Sequence, residues 1–194
     1  MDHYWLRSTV AEAVEKRAAA QDPWELYVVG SIVGVDPPRR VLEIGSASCG
    51  ALWFWAQIAD YRAQVASIDV SHHDVHEENL TDMPENQKLY MHLGDSRDER
   101  SRFDVQIFFG GEPIDFLFID GDHSYEVSKS DYLMYEQLVR PGGWIGFHDV
   151  QSSYVEDGGS YRLWQELRHQ FPRDHVQVQL RPEGGMGIGM LRKR

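Results

Sequence analysis

From Arg40 to Asp149 the chain alternates short apolar runs with longer stretches of helical period, and no other feature narrows its fold as much. Runs near 40–45, 65–69, 89–93, 114–120 and 144–149 predict strands, and the intervals 51–60, 74–81, 97–108 and 125–139 predict helices. Parallel strands need a crossover of a dozen or more residues, usually a helix, and these intervals supply one each time. Ile114-Asp115-Phe116-Leu117-Phe118-Ile119 is almost continuously apolar, as a central strand covered on both faces should be. The expected core is therefore a doubly wound α/β sheet, mostly parallel and Rossmann-like.

The flanks complete that picture. Thr9-Val10-Ala11-Glu12 matches a capping box, predicting a helix over about Val10 to Ala20. Asp22-Pro23 breaks it, the apolar pattern resumes at Trp24, and Pro37-Pro38 stops the chain again, so residues 1–38 read as an N-terminal helical cap on a core of 39–194. At 194 residues one domain is the expectation. Beyond Asp149, Gln151 to Gly159 is polar and Gly-containing and reads as a lid loop, followed by a helix over about 161–171. His175-Val176-Gln177-Val178-Gln179-Leu180 and Gly187-Ile188-Gly189-Met190-Leu191, joined by Pro182-Glu183-Gly184-Gly185, predict an antiparallel C-terminal hairpin that brings the sheet to seven strands.

Charge and cysteine content exclude several classes. The formal net charge is −12, which repels a phosphate backbone, so no nucleic acid partner is expected. Arg192-Lys193-Arg194 reads as a solvated tail. A single cysteine, Cys49, rules out an intrachain disulfide and agrees with a cytoplasmic protein. Neither a secretion signal nor a run long enough to span a membrane is visible, so no membrane association is expected.

The first strand ends in Glu43-Ile44-Gly45-Ser46-Ala47-Ser48-Cys49-Gly50. In doubly wound sheets ligands bind beyond the carboxyl ends of strands, where glycine lets backbone approach them. This loop is neither G-x-G-x-x-G nor a P-loop, which disfavours a pyrophosphate cradle. Glu43 beside the glycine turn suits the ammonium group of a bound amino acid. Asp69 ends the second strand, where an acid accepts both ribose hydroxyls, and Asp95-Ser96 end the third, where an adenine edge would lie. Any one of these acids has the alternative reading of a helix cap, the one favoured for Asp95 alone; three in register point to an aminoacyl nucleoside, with Glu43, Gly45, Ser46, Gly50, Asp69, Asp95, Ser96 and Asp120 as the expected contacts.

Glu43-Ile44-Gly45, Cys49-Gly50-Ala51, Ser67-Ile68-Asp69, Gly94-Asp95-Ser96, Phe118-Ile119-Asp120-Gly121-Asp122-His123-Ser124-Tyr125-Glu126 and Leu138 to Asp149 through Arg140-Pro141-Gly142-Gly143 resemble, in order, the class I S-adenosylmethionine-dependent methyltransferases. More narrowly, they are similar to the group related to cephalosporin hydroxylase accessory enzymes and macrolide-sugar O-methyltransferases, and distantly to catechol O-methyltransferase. The resemblance covers about Asp22 to Leu191. It implies S-adenosyl-L-methionine as cofactor. Cys49 stands where that family usually has another glycine.

Methyl transfer from a sulfonium is an in-line displacement, and a hydroxyl acceptor must also lose a proton. Asp120 and Asp149 end the fourth and fifth strands, so two hard oxygen ligands converge beside the cofactor, as suits Mg²⁺. In the macrolide-sugar enzymes the resemblance implies that the acids matching Asp120 and Asp149 hold the metal and that the histidine matching His123 is the general base. A third metal ligand has no counterpart, and Val150 stands where catechol-type relatives carry Asn. Asp122 and Ser124 read as helix N-caps. His148 reads either as core or as cofactor lining. His72 and His76 have one-turn spacing but no adjoining ligand cluster, so zinc is not expected there. Trp53-Phe54-Trp55 reads as core packing.

The expectation is thus an O-methyltransferase of a small-molecule hydroxylated acceptor, whose identity among sugar, polyketide, phenol and modified amino acid stays open. One rival is an accessory or regulatory protein that keeps the cofactor pocket without transfer; a nicotinamide-dependent oxidoreductase is a weaker one. The aromatic pair Tyr4-Trp5 offers a surface for a homo-oligomer.

Overall fold

The computed structural model describes residues 2–71, 76–151, 158–178 and 186–194. The turn at Pro182 to Gly185, residues 152–157 of the expected lid, and His72 and His73 lie outside the described residues. Helices α1 (His3–Glu15) and α2 (Pro23–Val33) precede β1 (Arg40–Ile44), α3 (Gly50–Ile58) and β2 (Gln64–Asp69). Then follow α4 (His76–Asn79), β3 (Lys88–Leu93), α5 (Glu99–Phe108), β4 (Ile114–Ile119) and α6 (Tyr125–Tyr135). The chain continues through β5 (Val139–His148), α7 (Gly159–Gln170), β6 (His175–Val178) and β7 (Ile188–Arg192).

These strands form one seven-stranded sheet in the order β3-β2-β1-β4-β5-β7-β6. The first five pair in parallel, whereas β7 runs antiparallel to β5 and β6 antiparallel to β7. Successive strands step outward from β1 in one direction and from β4 in the other, so a crevice opens between their carboxyl ends.

Strand periodicity divides the core into two layers. Val41, Phe116 and Phe118 face α1, α2 and α3, where Leu26, Val29, Phe54 and Trp55 close one layer. Leu42, Leu117 and Ile119 point the other way, against Val105, Tyr135, Phe147 and Trp164 of the opposite helices and strands. Trp53-Phe54-Trp55 is buried, with Trp55 packed edge-on to Phe116 at a centroid distance of 5.0 Å.

Two boundaries depart from the sequence pattern. Helix α1 begins at His3, capped by Asp2, whose carboxylate accepts from the Tyr4 amide at 2.8 Å. The capping-box residues therefore fall inside the helix: Thr9 donates back to the Trp5 carbonyl and Glu12 pairs with Arg17. An earlier cap that satisfies the free amides makes the second one redundant. Strand β5 begins at Val139 rather than 144, with its register to β4 shifted between Ile114 and Phe116. No described helix is long and apolar enough to cross a membrane.

Candidate active site

The crevice is built where β1 and β4 end side by side. Asp120 donates its amide to the Ile44 carbonyl at 2.8 Å, and Gly45 donates to Ile68 at 2.9 Å. Gly45 has φ +83°, and a Cβ there would collide with the Asp120 carbonyl. Only glycine fits both demands. Gly50 is glycine for a different reason: its Cβ would run into backbone atoms of Arg17 and Ala19, so the N-terminal cap, rather than a ligand, takes the space. Cys49 has φ 65°, the left-handed conformation that explains why a glycine suits this position. Its thiol is buried, and burial together with the nearby Glu43 carboxyl pushes its pKa up to about 12.

A cleft of about 450 Å³ runs along these strand ends, lined by Gly45, Ala47, Asp69, Asp95, Ser96, Asp120 and His123 among others. Asp69 accepts from the Ala47 amide at 2.8 Å and from Ser71, tying the glycine loop to β2. Asp95 is clasped by Arg97, whose guanidinium approaches to 2.6 Å and lowers the carboxyl to about 2. Ser96 turns its hydroxyl to the buried Asp131 at 2.6 Å, while Tyr135 donates to the Ser96 carbonyl. Burial raises Asp131 to about 6. Ser46 is buried within the loop and accepts the Cys49 amide through its carbonyl.

Glu43 stands apart from the other expected cofactor residues. It is 0% exposed, projects into the α3 layer and accepts from Trp55 Nε1 at 3.0 Å. Burial, reinforced by the negative charge of Asp120, pushes its pKa well above the ordinary range. The carboxyl lies beneath the loop, where its bond to Trp55 supports the loop from behind.

A second cavity of about 210 Å³ adjoins the cleft and shares Gly45, Ala47, Asp120 and His123 with it. Its other walls include Gln21, Ser46, His148 and Asp149. His123 Nδ1 lies 3.0 Å from Asp149 Oδ2, and His148 Nδ1 lies 2.9 Å from Asp120 Oδ1 and 3.5 Å from Asp149 Oδ2. The hydrogen bond to Asp149 raises the His123 pKa against the opposing effect of burial. For His148 burial acts downward, but the two carboxylates outweigh it and push the ring up to about 10. Asp149 has φ 58°, a strained conformation for a side-chain-bearing residue, and is held there as β5 gives way to the Val150–Gly187 contact.

Asp120, His123 and Asp149 bring one ligand atom each to within 4.8 Å of one another. Asp149 Oδ1 and Gln21 Oε1 are buried without a hydrogen-bond partner. Two carboxylates, an imidazole and free buried oxygens make a donor set that fits a hard divalent ion such as Mg²⁺.

The structure therefore brings Gly45, Ser46, Gly50, Asp69, Asp95, Ser96, Asp120, His123 and Asp149 to the two adjoining cavities, with Glu43 behind them. Ser124 occupies the N-cap position of α6 without a side-chain bond to the helix amides, while Asp122 accepts its amide at 2.8 Å. His148 is buried and lies on the wall of the second cavity. Sequence reasoning missed Gln21, whose Nε2 donates to Asp120 Oδ2 at 2.5 Å across 99 positions of chain. Asp131 and Arg97 were missed as well; nothing in local pattern marks any of the three.

Comparisons with known proteins agree with this architecture. An O-methyltransferase from Bacillus cereus in complex with SAH superposes with a TM-score of 0.66 at 21% identity, covering 96% of this chain and 91% of that one. The MycE methyltransferase of the mycinamycin biosynthetic pathway, in complex with Mg, SAH and mycinamycin VI, gives 0.69 at 18% identity, covering 97% of this chain and 54% of its own. An uncharacterized protein, R132, from Acanthamoeba polyphaga mimivirus is 50% identical over 38 residues, a stretch equal to 20% of this chain and 17% of that protein. Residues 42–150, more than half of the chain and the span from within β1 to past the end of β5, match the profile of the methyltransferase domain, and the chain belongs to that family.

Proposed function

We propose that the protein is an S-adenosylmethionine-dependent O-methyltransferase acting on a hydroxyl group of a small molecule. The observation that carries the reading is the shared wall of the two cavities. A donor bound in the larger one and an acceptor bound in the smaller one would meet beside Asp120 and His123. An open acceptor cavity at that point also favours an enzyme over an accessory protein that only binds cofactor. The solved neighbours that carry SAH, one of them with Mg and mycinamycin VI, support the same choice.

In this reading Gly45 and Ala47 give the cofactor a backbone surface. Asp69, whose Oδ2 keeps a lone pair beyond the one used by Ala47 while Oδ1 takes Ser71, accepts a ribose hydroxyl. The Asp95-Ser96 strand end borders the adenine. Glu43, Ser46 and Gly50 shape the loop. Asp149 holds His123 through Nδ1, and Nε2 takes the acceptor's proton while the acceptor oxygen bonds to the methyl carbon and the carbon–sulfur bond breaks. The products are the methyl ether, S-adenosylhomocysteine and a proton on His123. Asp120 and Asp149 would hold Mg²⁺, which when bound lowers the pKa of a hydroxyl and fixes its orientation.

The test is transfer of labelled methyl from S-adenosylmethionine to a panel of hydroxylated metabolites, with Mg²⁺ and with a chelator. Label is expected in the acceptor and is expected to fall on chelation. Cofactor binding by calorimetry with no transfer to any acceptor would favour the accessory-protein reading instead.

A further inference from the structure

We propose that Gln21, delivered by the N-terminal cap, is the third protein oxygen of the cation site, an inference that rests on the Mg²⁺ reading above. Gln21 sits at the end of a segment pinned on every side. Ala19 donates to Ala13, Ser48 donates to the Ala18 carbonyl, and Asp22 caps α2 immediately afterwards. The Arg17 guanidinium stacks 4.1 Å over Trp53 and donates to the Asn79 carbonyl. The side chain is thus delivered to the cavity by fixed backbone, the condition under which a ligand holds its geometry.

Gln21 is 4% exposed, and the two polar atoms of its amide are treated unequally. Nε2 donates to Asp120 Oδ2 at 2.5 Å, whereas Oε1 has no partner. Leaving a buried acceptor unsatisfied is unfavourable, because the water it gave up is not replaced. Nearby, Asp149 Oδ1 is buried and unpartnered too, in a residue 3% exposed. Both residues line the same cavity, and with the amide turned a cation there would take both oxygens.

The geometry allows it with little motion. A half-turn about the terminal amide exchanges nitrogen for oxygen and points Oε1 at Asp120. Oxygens on adjacent vertices of a Mg²⁺ octahedron stand about 3 Å apart, given metal–oxygen distances of roughly 2.1 Å. The present 2.5 Å spacing needs to open by only about half an ångström to accept the ion. Without a cation the amide gives Asp120 its N–H; with one it gives its oxygen. In that way Gln21 supplies the ligand for which no counterpart is visible near Asp149 in sequence, where Val150 follows the acid.

The test is titration of Mn²⁺, followed by electron paramagnetic resonance, into the full-length protein and its Gln21→Met, Gln21→Glu and Asp149→Asn variants. Folding of each is checked by circular dichroism. Gln21→Met is expected to weaken Mn²⁺ binding at least tenfold, and Gln21→Glu to tighten it by adding a charge. A side chain that serves only as a hydrogen-bond donor predicts the opposite for Met, because losing the N–H frees Asp120. Gln21→Met binding as tightly as wild type, or more tightly, would therefore overturn the assignment. If Gln21→Met does not fold, Gln21→Glu decides alone: tighter binding supports the assignment, and unchanged or weaker binding overturns it. Wild type that binds no better than Asp149→Asn overturns the Mg²⁺ reading itself and Gln21 with it, an outcome distinct from failure at Gln21 alone.

Discussion

His123 Nδ1 and Asp149 Oδ2 lie 3.0 Å apart, joining the turn after β4 to the end of β5 on the wall of the smaller cavity. The pair fixes the orientation of the ring. Since the hydrogen bond to Asp149 raises the His123 pKa and only the neutral ring accepts a proton, transfer is expected to rise with pH on the alkaline side of an ordinary imidazole. His123→Ala should lower turnover by about 10²–10⁴-fold with cofactor affinity kept. Rate–pH profiles and calorimetry check both; full activity in the variant would remove His123 as base.

Asp69 meets the glycine loop through Ala47 and faces the larger cleft. Asp69→Ala is expected to weaken S-adenosylmethionine binding by about 1.5–3 kcal/mol, the range for a hydrogen bond to a charged group, or roughly tenfold or more. Unchanged affinity by calorimetry would count against the nucleoside reading of the cleft.

Gly45 combines a positive φ with a close backbone approach, whereas Gly111 has φ +75° and open space within 4 Å of where a Cβ would stand. Gly111→Ala should therefore cost about 1 kcal/mol, from backbone strain alone. Gly45→Ala adds collision with Asp120 and should cost on the order of 3 kcal/mol or more. Thermal melts of the two variants separate the contributions, and equal losses would mean that the β1–β4 approach is not tight.

Asp131 is raised to about 6 by burial, so the fold prefers its neutral form. The sign follows from linkage: this preference contributes fully below the unfolded value near 3.8 and is lost as pH rises through about 6. Relative to Asp131→Asn, wild type should lose up to about 3 kcal/mol between pH 4 and pH 7. The melting-temperature advantage of the variant should widen over that window. A constant difference would show that Asp131 is not held neutral.

What the sequence determined by itself was the periodicity and its punctuation. Alternation of strand and helix from Arg40 onward was enough for a doubly wound sheet, because parallel neighbours require covering helices. That the acids at the ends of β2, β4 and β5 share one edge was legible because strand ends in such a sheet converge there. Thr9 misled, since a capping pattern states only that a helix can start there, and Asp2 started it sooner.

Only tertiary structure decided which side of β1 each residue serves. Glu43 lies one residue from Ile44 and two from Gly45, yet strand alternation turns it into the Trp55 layer, where burial raises its pKa. Gly45 and Gly50 look alike in the loop, but one makes room for β4 and the other for the N-terminal cap. Gln21 meets Asp120 only because helices α1 and α2 fold back over the glycine loop. Contacts across that much chain are set by packing between layers, and local sequence carries no period that encodes them.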